Sequence, residues 1–217
     1  MRRSTLLIHQ PLNFIMHPFA SSSSRSRARS CALLLCTALT AFSTLARASE
    51  VPALVDDFSD PVRSSWGIDR IVVTDTSTGG SSQLHSTFAQ GVLNAEGEII
   101  PGRGQPGWVS LVLLLSPKGE PVDLSKYEGI RLRVRVGKGM LSITANSSEI
   151  KNFDFHSTLV ARKSGDLQEV RIPFRDMKRA WSEQIPLNRA TITSISLVAV
   201  DLQKGSFAYD VDEVGFY

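Results

Sequence analysis

The sequence predicts an all-β sandwich, and three observations lead to that fold class. Residues 129–137, GIRLRVRVG, alternate aliphatic and arginine side chains, as in a strand with one apolar face and one charged face. Residues 108–115, WVSLVLLL, are nearly all apolar and follow a turn, which favours a strand buried on both sides. Short apolar segments separated by turn residues continue to the C-terminus, which favours a sandwich over alternating strands and helices.

The other elements follow in order along the chain. Residues 66–73 predict an irregular strand, residues 74–82 a loop without apolar residues, and residues 84–93 a hairpin or bent strand. The turn 101–107 precedes the apolar strand, whose first residue, Trp108, is expected in the core. A two-turn helix is predicted at 175–183, and further strands are predicted at 140–145, 153–161, 167–174, 192–201 and 206–217.

The first 48 residues are predicted to be a signal peptide rather than part of the fold. They contain six arginines and no acidic residue, then the apolar stretch 31–42 and the sequence Ala46-Arg47-Ala48. A basic region, a short apolar core and an Ala-x-Ala site are typical of export. The apolar stretch is shorter than the roughly 20 residues that cross a membrane. We therefore expect a periplasmic or secreted protein. A mitochondrial transit peptide, which is also rich in Arg and Ser, is the alternative.

Removal of this leader leaves one predicted domain, residues 50–217, and changes its charge. The whole chain has 24 basic and 21 acidic residues, but six of the basic residues belong to the leader, so the remainder carries a net charge of −3. An acidic domain is not expected to bind nucleic acid. Both cysteines also lie in the leader, which excludes disulfides and thiolate sites. No segment of the mature domain is expected to cross a membrane.

Six segments in this order resemble the complex I intermediate-associated protein 30 family. They are residues 56–58 (DDF), 75–82 (DTSTGGSS), 123–129 (DLSKYEG), 137–139 (GKG), 170–174 (VRIPF) and 207–213 (FAYDVDE). The resemblance implies a single jelly-roll sandwich of the galactose-binding-like type. It also implies a non-catalytic role, which is assembly of respiratory complex I in mitochondrial members and binding of a protein partner or a saccharide in exported bacterial members.

The residues themselves suggest two kinds of binding site. Arg131, Arg133 and Arg135 lie about 6.6 Å apart along one face of a strand, where they either bind an anionic polymer or acidic partner or pair with carboxylates of adjacent strands. Trp66 and Trp181 lie beside loops, so their rings are candidate platforms for sugars.

Acidic residues supply the candidate chemistry. The pairs Asp56/Asp57 and Glu96/Glu98 and the group Asp210/Asp212/Glu213 include carboxylates that could hydrolyse a glycoside if the fold placed two of them about 5–9 Å apart. Asp57, Asp212 and Glu213 are instead candidate ligands of a structural calcium ion between the first and last strands. No other cofactor is predicted.

Three hypotheses result. The first is an exported, non-catalytic binding protein that recognises a protein partner or a glycan. The alternatives are a mitochondrial assembly factor for respiratory complex I and a carbohydrate-active enzyme that uses one of the acidic pairs.

Overall fold

A computed structural model describes residues 51–161 and 165–217. The predicted signal peptide, residues 1–48, lies outside the described residues. The described chain contains eleven strands. Their bounds are β1 Leu54–Asp56, β2 Ile71–Thr74, β3 Gln83–Ala89, β4 Val92–Ile99, β5 Gly107–Leu114, β6 Gly129–Lys138, β7 Leu141–Ser147, β8 His156–Val160, β9 Gln168–Pro173, β10 Ile192–Asp201 and β11 Gly205–Phe216.

Two antiparallel sheets form a sandwich, which confirms the predicted fold class. The first sheet has the strand order β3-β4-β11-β6-β9, and β1 also pairs with β11. The second sheet has the order β2-β5-β10-β7-β8. Every strand pair is antiparallel. Within the described residues no helix is long and apolar enough to cross a membrane.

The core lies between the sheets and follows the alternation seen in the sequence. The four aliphatic residues of β6 are at most 4% exposed. They belong to one buried cluster with Leu111 and Leu113 of β5 and Ile195 and Leu197 of β10. Burial of each such side chain stabilises the fold by about 1.5–3 kcal/mol.

Two predictions made from the sequence are wrong in detail. The predicted helix at 175–183 is replaced by a single 3-10 turn, Phe174–Asp176, and an irregular loop. The backbone N–H groups of residues 180–182 donate to the Asp154 carboxylate, so they are not available to a helix. Trp108 is half-buried on the outer side of the second sheet rather than in the core, because its neighbour Val109 faces inward.

A buried ion pair holds the start of the domain. The Arg70 guanidinium donates from Nε and Nη2 to the two carboxylate oxygens of Asp56, over 2.6 and 2.8 Å. The two side chains are 3% and 0% exposed. The guanidinium also lies over the rings of Phe58 and Phe88, at 5.1 and 4.8 Å from their centres. Asp56 and Phe58 of the DDF segment therefore have a structural role.

The loop 75–82, which contains Gly79 and Gly80, is built around a second buried carboxylate. Asp75 is fully buried and accepts hydrogen bonds from the backbone N–H and hydroxyl of Ser82 and from the backbone N–H of Trp108. A Cβ atom on Gly80 would lie 2.2 Å from the Asp75 Cγ atom, so no larger residue fits there. The loop, which connects β2 to β3 in the chain, is thus hydrogen-bonded to the start of β5.

Candidate functional site

The outer face of the first sheet carries the three arginines predicted to be a binding surface, here called the arginine ladder. Each one reaches a carboxylate on a neighbouring strand. Arg135 Nη2 lies 2.6 Å from an Asp210 carboxylate oxygen, Arg133 pairs with Asp212, and Arg131 pairs with Glu213. Of the two interpretations offered by the sequence, the ladder corresponds to cross-strand pairing.

A β-bulge supplies the ladder with an extra carboxylate. Val211 and Val214 of β11 both face the core, so Asp212 and Glu213 between them both face outward. The pairing register with β6 shifts at this point, with two residues of β11 opposite one of β6. The sequence contains a signal for this bulge, because the apolar positions of β11 change there from odd to even numbers.

The residues predicted to bind calcium are not brought together as a ligand set. Asp212 and Glu213 are engaged by arginines. Asp57 accepts hydrogen bonds from the hydroxyl and backbone N–H of Ser59, and these bonds lower the pKa of its carboxyl. In residues 51–161 and 165–217, no group of three His, Cys, Asp or Glu side chains is arranged to hold a metal ion.

The two tryptophans predicted to be sugar platforms have different environments. Trp66 is partly buried, packs against the core and donates from its indole Nε1 to the Leu54 carbonyl oxygen over 2.5 Å. It anchors β1 and does not stand free as a platform. Trp181, by contrast, is 71% exposed.

A second exposed aromatic residue lies in another loop, which is hydrogen-bonded to the loop that carries Trp181. Phe153 is 80% exposed and has a φ of +61°, a conformation that is uncommon for any residue other than glycine. We call the loops 152–155 and 179–185 the aromatic loop pair. Sequence reasoning missed Phe153 because it assigned this residue to a strand. Its polar neighbours, Asn152 and Asp154, were the signal for an exposed loop residue.

The buried carboxylate of Asp154 holds the two loops together. Only 1% of Asp154 is exposed, and its oxygens accept the backbone N–H groups of Ala180, Trp181 and Ser182 over 2.7, 3.0 and 2.6 Å. Burial by itself would raise the pKa of Asp154. The hydrogen bonds from Ser182, Ala180 and Trp181 outweigh that effect and hold the pKa below its ordinary value.

Further bonds fix the same loops. Arg179 donates to the Asp154 carbonyl oxygen at 3.1 Å, to the Glu183 carbonyl oxygen at 3.0 Å and to the Asn152 side chain at 3.1 Å. The Nε2 atom of the buried His156 lies 2.7 Å from the Ile185 carbonyl oxygen. Both exposed rings therefore stand on backbone that is held at many points.

The outer face of the second sheet, here called the uncharged face, differs from the arginine ladder. Its outward positions on β5, β7 and β10 carry hydroxyl, amide, aliphatic and indole groups, and none of them is charged. The Asn146 side chain donates to the hydroxyls of Ser194 and Ser196, over 2.8 Å in each case. The outward residues are Trp108, Ser110, Val112, Leu114, Ser142, Thr144, Asn146, Ser194, Ser196, Val198 and Val200.

Comparison with known sequences identifies one family. The profile described as complex I intermediate-associated protein 30 (CIA30) matches residues 58–211. The search of curated proteins returned no matching sequence.

Comparison with solved structures identifies carbohydrate-binding modules with this fold. One is the family 11 carbohydrate-binding module of the cellulosomal cellulase Lic26A-Cel5E of Clostridium thermocellum. It has a TM-score of 0.53 and 17% identity, over 77% of this chain and 95% of that chain. Another is a family 11 module from Clostridium thermocellum in complex with a β-1,3-1,4-mixed-linked tetrasaccharide. It has a TM-score of 0.51 and 15% identity, over 76% of this chain and 94% of that chain. At these identities the likeness establishes the fold.

Proposed function

The chain belongs to the complex I intermediate-associated protein 30 family, and we propose that it is a non-catalytic carbohydrate-binding domain. The observation that carries this proposal is the pair of exposed rings, Phe153 and Trp181, on loops that a buried carboxylate holds together. The rings of sugars present apolar C–H groups that pack on aromatic faces, and the aromatic side chain gains buried area in the process.

The rigidity of the loops favours binding. A ligand that meets a mobile loop loses free energy to the ordering of that loop, whereas a loop held in advance avoids this cost. The strained backbone at Phe153 supports the same interpretation, because such conformations persist where the surrounding structure holds them and are enriched at binding sites.

The uncharged face extends the site with polar groups suited to sugars. β8 begins directly after the first loop, and Ser157 of β8 exchanges both backbone hydrogen bonds with Lys178, just before the second loop. The aromatic loop pair thus lies at the β8 edge of the second sheet, where the half-buried Thr144 and Asn146 can donate to and accept from a glycan. The serine hydroxyls of this face are buried.

The similar structures make a glycan the first ligand class to test. Both family 11 modules are carbohydrate-binding modules by description, and one was solved with a bound mixed-linked tetrasaccharide. A protein partner is the alternative occupant of the same exposed rings, and the experiment below separates the two.

A catalytic role has less support from the acidic residues. Asp56 is buried against Arg70, and the carboxylates of β11 face the arginine ladder. Glu96 and Glu98 are exposed, whereas the general acid of a glycosidase needs apolar surroundings. We therefore propose binding without hydrolysis. Loss of glycan hydrolysis on changing Glu96 or Glu98 to Gln would contradict this.

Substitution of the exposed rings tests the function. We expect a glycan array to identify a neutral oligosaccharide, and Trp181→Ala and Phe153→Ala each to weaken its binding about tenfold, a loss of ~1.4 kcal/mol. Leu202→Ala is the matched control, because Leu202 is 78% exposed and lies between β10 and β11. Absence of glycan binding, together with capture of a protein that requires Trp181, would replace the glycan with a protein partner.

The location of the protein remains a separate proposal that rests on the leader alone. We propose export with cleavage after Ala48. N-terminal sequencing of the protein recovered from its native cells tests this, and recovery from mitochondria would favour the assembly-factor alternative.

A further inference from the structure

We propose that a cavity next to the aromatic loop pair is a subsite for a carboxylate-bearing sugar, that is, a uronic acid unit. The inference rests on the proposed carbohydrate-binding function and names the class of glycan. The cavity has a volume of about 580 Å³ and is lined by residues of the segment 174–178 that follows β9, by Glu128 before β6, and by residues 184–187 and Arg189. This volume lies within the range of small-molecule sites.

The cavity adjoins the exposed tryptophan through a shared residue. Gln184 lines the cavity, and its side-chain Nε2 donates to the carbonyl oxygens of Arg179 and Ser182, on either side of Trp181. Lys178, another lining residue, directly precedes the same loop. One oligosaccharide can therefore stack on the tryptophan and place a neighbouring unit in the cavity.

Positive charge dominates the polar lining. The charged side chains that line the cavity are three cations, Arg175, Lys178 and Arg189, and one carboxylate, that of Glu128. Among the described residues, neither Lys178 nor Arg189 forms an ion pair, but Arg189 lies close enough to Asp123 that its charge, after the hydrogen bonds from Ser125, also lowers the pKa of the Asp123 carboxyl. Arg175 lies 3.8 Å from the carboxylate of Asp176, but both side chains are largely exposed, and such pairs contribute little. Because the domain as a whole is acidic, this local excess of cations is a feature of the cavity and not of the surface in general.

Two of the cations are held in place by backbone carbonyls, which leaves donors for a ligand. Arg189 Nη1 donates to the Tyr127 carbonyl oxygen over 2.7 Å, and Lys178 Nζ donates to the Arg175 carbonyl oxygen over 3.3 Å. A guanidinium has five N–H donors and an ammonium three. The remaining donors suit a carboxylate, which a guanidinium can bind through two parallel hydrogen bonds.

The rest of the lining suits a sugar ring better than a simple anion. Ile185, which is 40% exposed, and the partly buried Leu187 offer apolar surface to C–H groups, and Phe174 and Met177 are buried in the lining behind that surface. The Glu128 carboxylate and the Gln184 Oε1 atom can accept hydrogen bonds from hydroxyls. A uronic acid combines these features in one unit, because it has a carboxylate, several hydroxyls and an apolar ring face.

Calorimetric titration of the full chain with matched oligosaccharides tests this subsite. The probes are oligogalacturonate, a neutral oligosaccharide of equal length and a sulfated oligosaccharide of equal length. We expect oligogalacturonate to bind at least tenfold more tightly than the neutral probe. Lys178→Gln and Arg189→Gln should each weaken oligogalacturonate binding much more than neutral binding and so remove most of that preference. Lys118→Gln is the control, since it removes the same charge from an exposed turn outside the cavity.

The outcomes separate the subsite from the general function. Neutral binding without a preference for oligogalacturonate would overturn the subsite and leave the carbohydrate-binding function standing. A sulfated probe that binds as tightly and depends equally on Lys178 would overturn the carboxylate assignment. Failure of every probe, neutral and charged, would overturn both proposals. Because Arg189 also bonds to Tyr127, Lys178→Gln provides the test if the arginine variant does not fold.

Discussion

The arginine ladder and the cavity contain similar cationic groups in opposite situations. The ladder arginines are two residues apart along one strand, and each meets a carboxylate of a neighbouring strand. Lys178 and Arg189 are eleven residues apart, line one cavity and form no ion pair within the described residues. The arginine ladder, which is the charge pattern easiest to recognise in the sequence, is therefore the one whose charges are neutralised by carboxylates. A cation is a better candidate for ligand binding where it forms no ion pair with a carboxylate.

The largest effect is expected where neutralisation is most complete, at the buried pair of Arg70 and Asp56. Arg70→Ala leaves a buried carboxylate without its partner, which costs about 3–5 kcal/mol. Urea unfolding measures the loss. A cost below about 1 kcal/mol would mean that water reaches Asp56 and that burial does not distinguish this pair from the ladder.

An intermediate effect is expected at Asp154, whose charge is neutralised by backbone N–H groups. Asp154→Asn should destabilise the domain by about 1–3 kcal/mol, because the amide that replaces one oxygen cannot accept these bonds. Glycan binding should weaken with it, since Asp154 positions Trp181.

The same residue gives a pH dependence with a defined sign. The pKa of Asp154 is lowered in the folded state, so its stabilising contribution is complete above its ordinary value of 3.8 and is lost as the pH falls through the lower folded value. Thermal unfolding of the wild type should lose more stability below about pH 4 than that of Asp154→Asn. Equal losses in the two proteins would contradict this.

A small effect is expected in the ladder itself. Arg133→Ala removes a half-exposed ion pair and should cost about 0.2–1 kcal/mol at low salt. High salt should reduce the cost further, because it screens exposed charges. A cost of several kcal/mol that does not depend on salt would mean that the ladder ion pairs stabilise the domain as strongly as the buried pair of Arg70 and Asp56.

The smallest effect is expected from chelation. EDTA should leave the melting temperature unchanged, because Asp212 and Glu213 are already engaged by arginines. A fall in melting temperature that calcium reverses would show that these carboxylates serve an ion in addition to the ladder.

Local pattern was sufficient to predict most of the fold. The alternation in β6 identified its buried and exposed faces, and β10 has the predicted bounds, Ile192–Asp201. Local pattern was insufficient to predict the secondary structure of a segment whose backbone is hydrogen-bonded to a group distant in sequence. The segment 175–183 is not helical because Asp154, more than 20 residues earlier, takes its N–H groups.

Trp181 was the part of the candidate site that the sequence could reveal. The position of Phe153 and the cavity depend on loops that are brought together by the buried Asp154, Phe174 and Met177. These contacts join segments that are distant in sequence, so no periodic pattern of residues predicts them. The outward position of Trp108 depends in the same way on the register of β5 with its neighbours.

Between Tyr209 and Phe216, the bulge gives β11 one more residue than the segment of β6 with which it pairs. Without Asp212, the inward residues Tyr209, Val211, Val214 and Phe216 would alternate without interruption, opposite the same residues of β6. Deletion of Asp212 should therefore keep the same side chains of β11 in the core. Deletion of Asp210 would instead move some core side chains to the outer face and some outer side chains into the core. The strand carries a dispensable position that adds surface charge and leaves the packing between the sheets as it is.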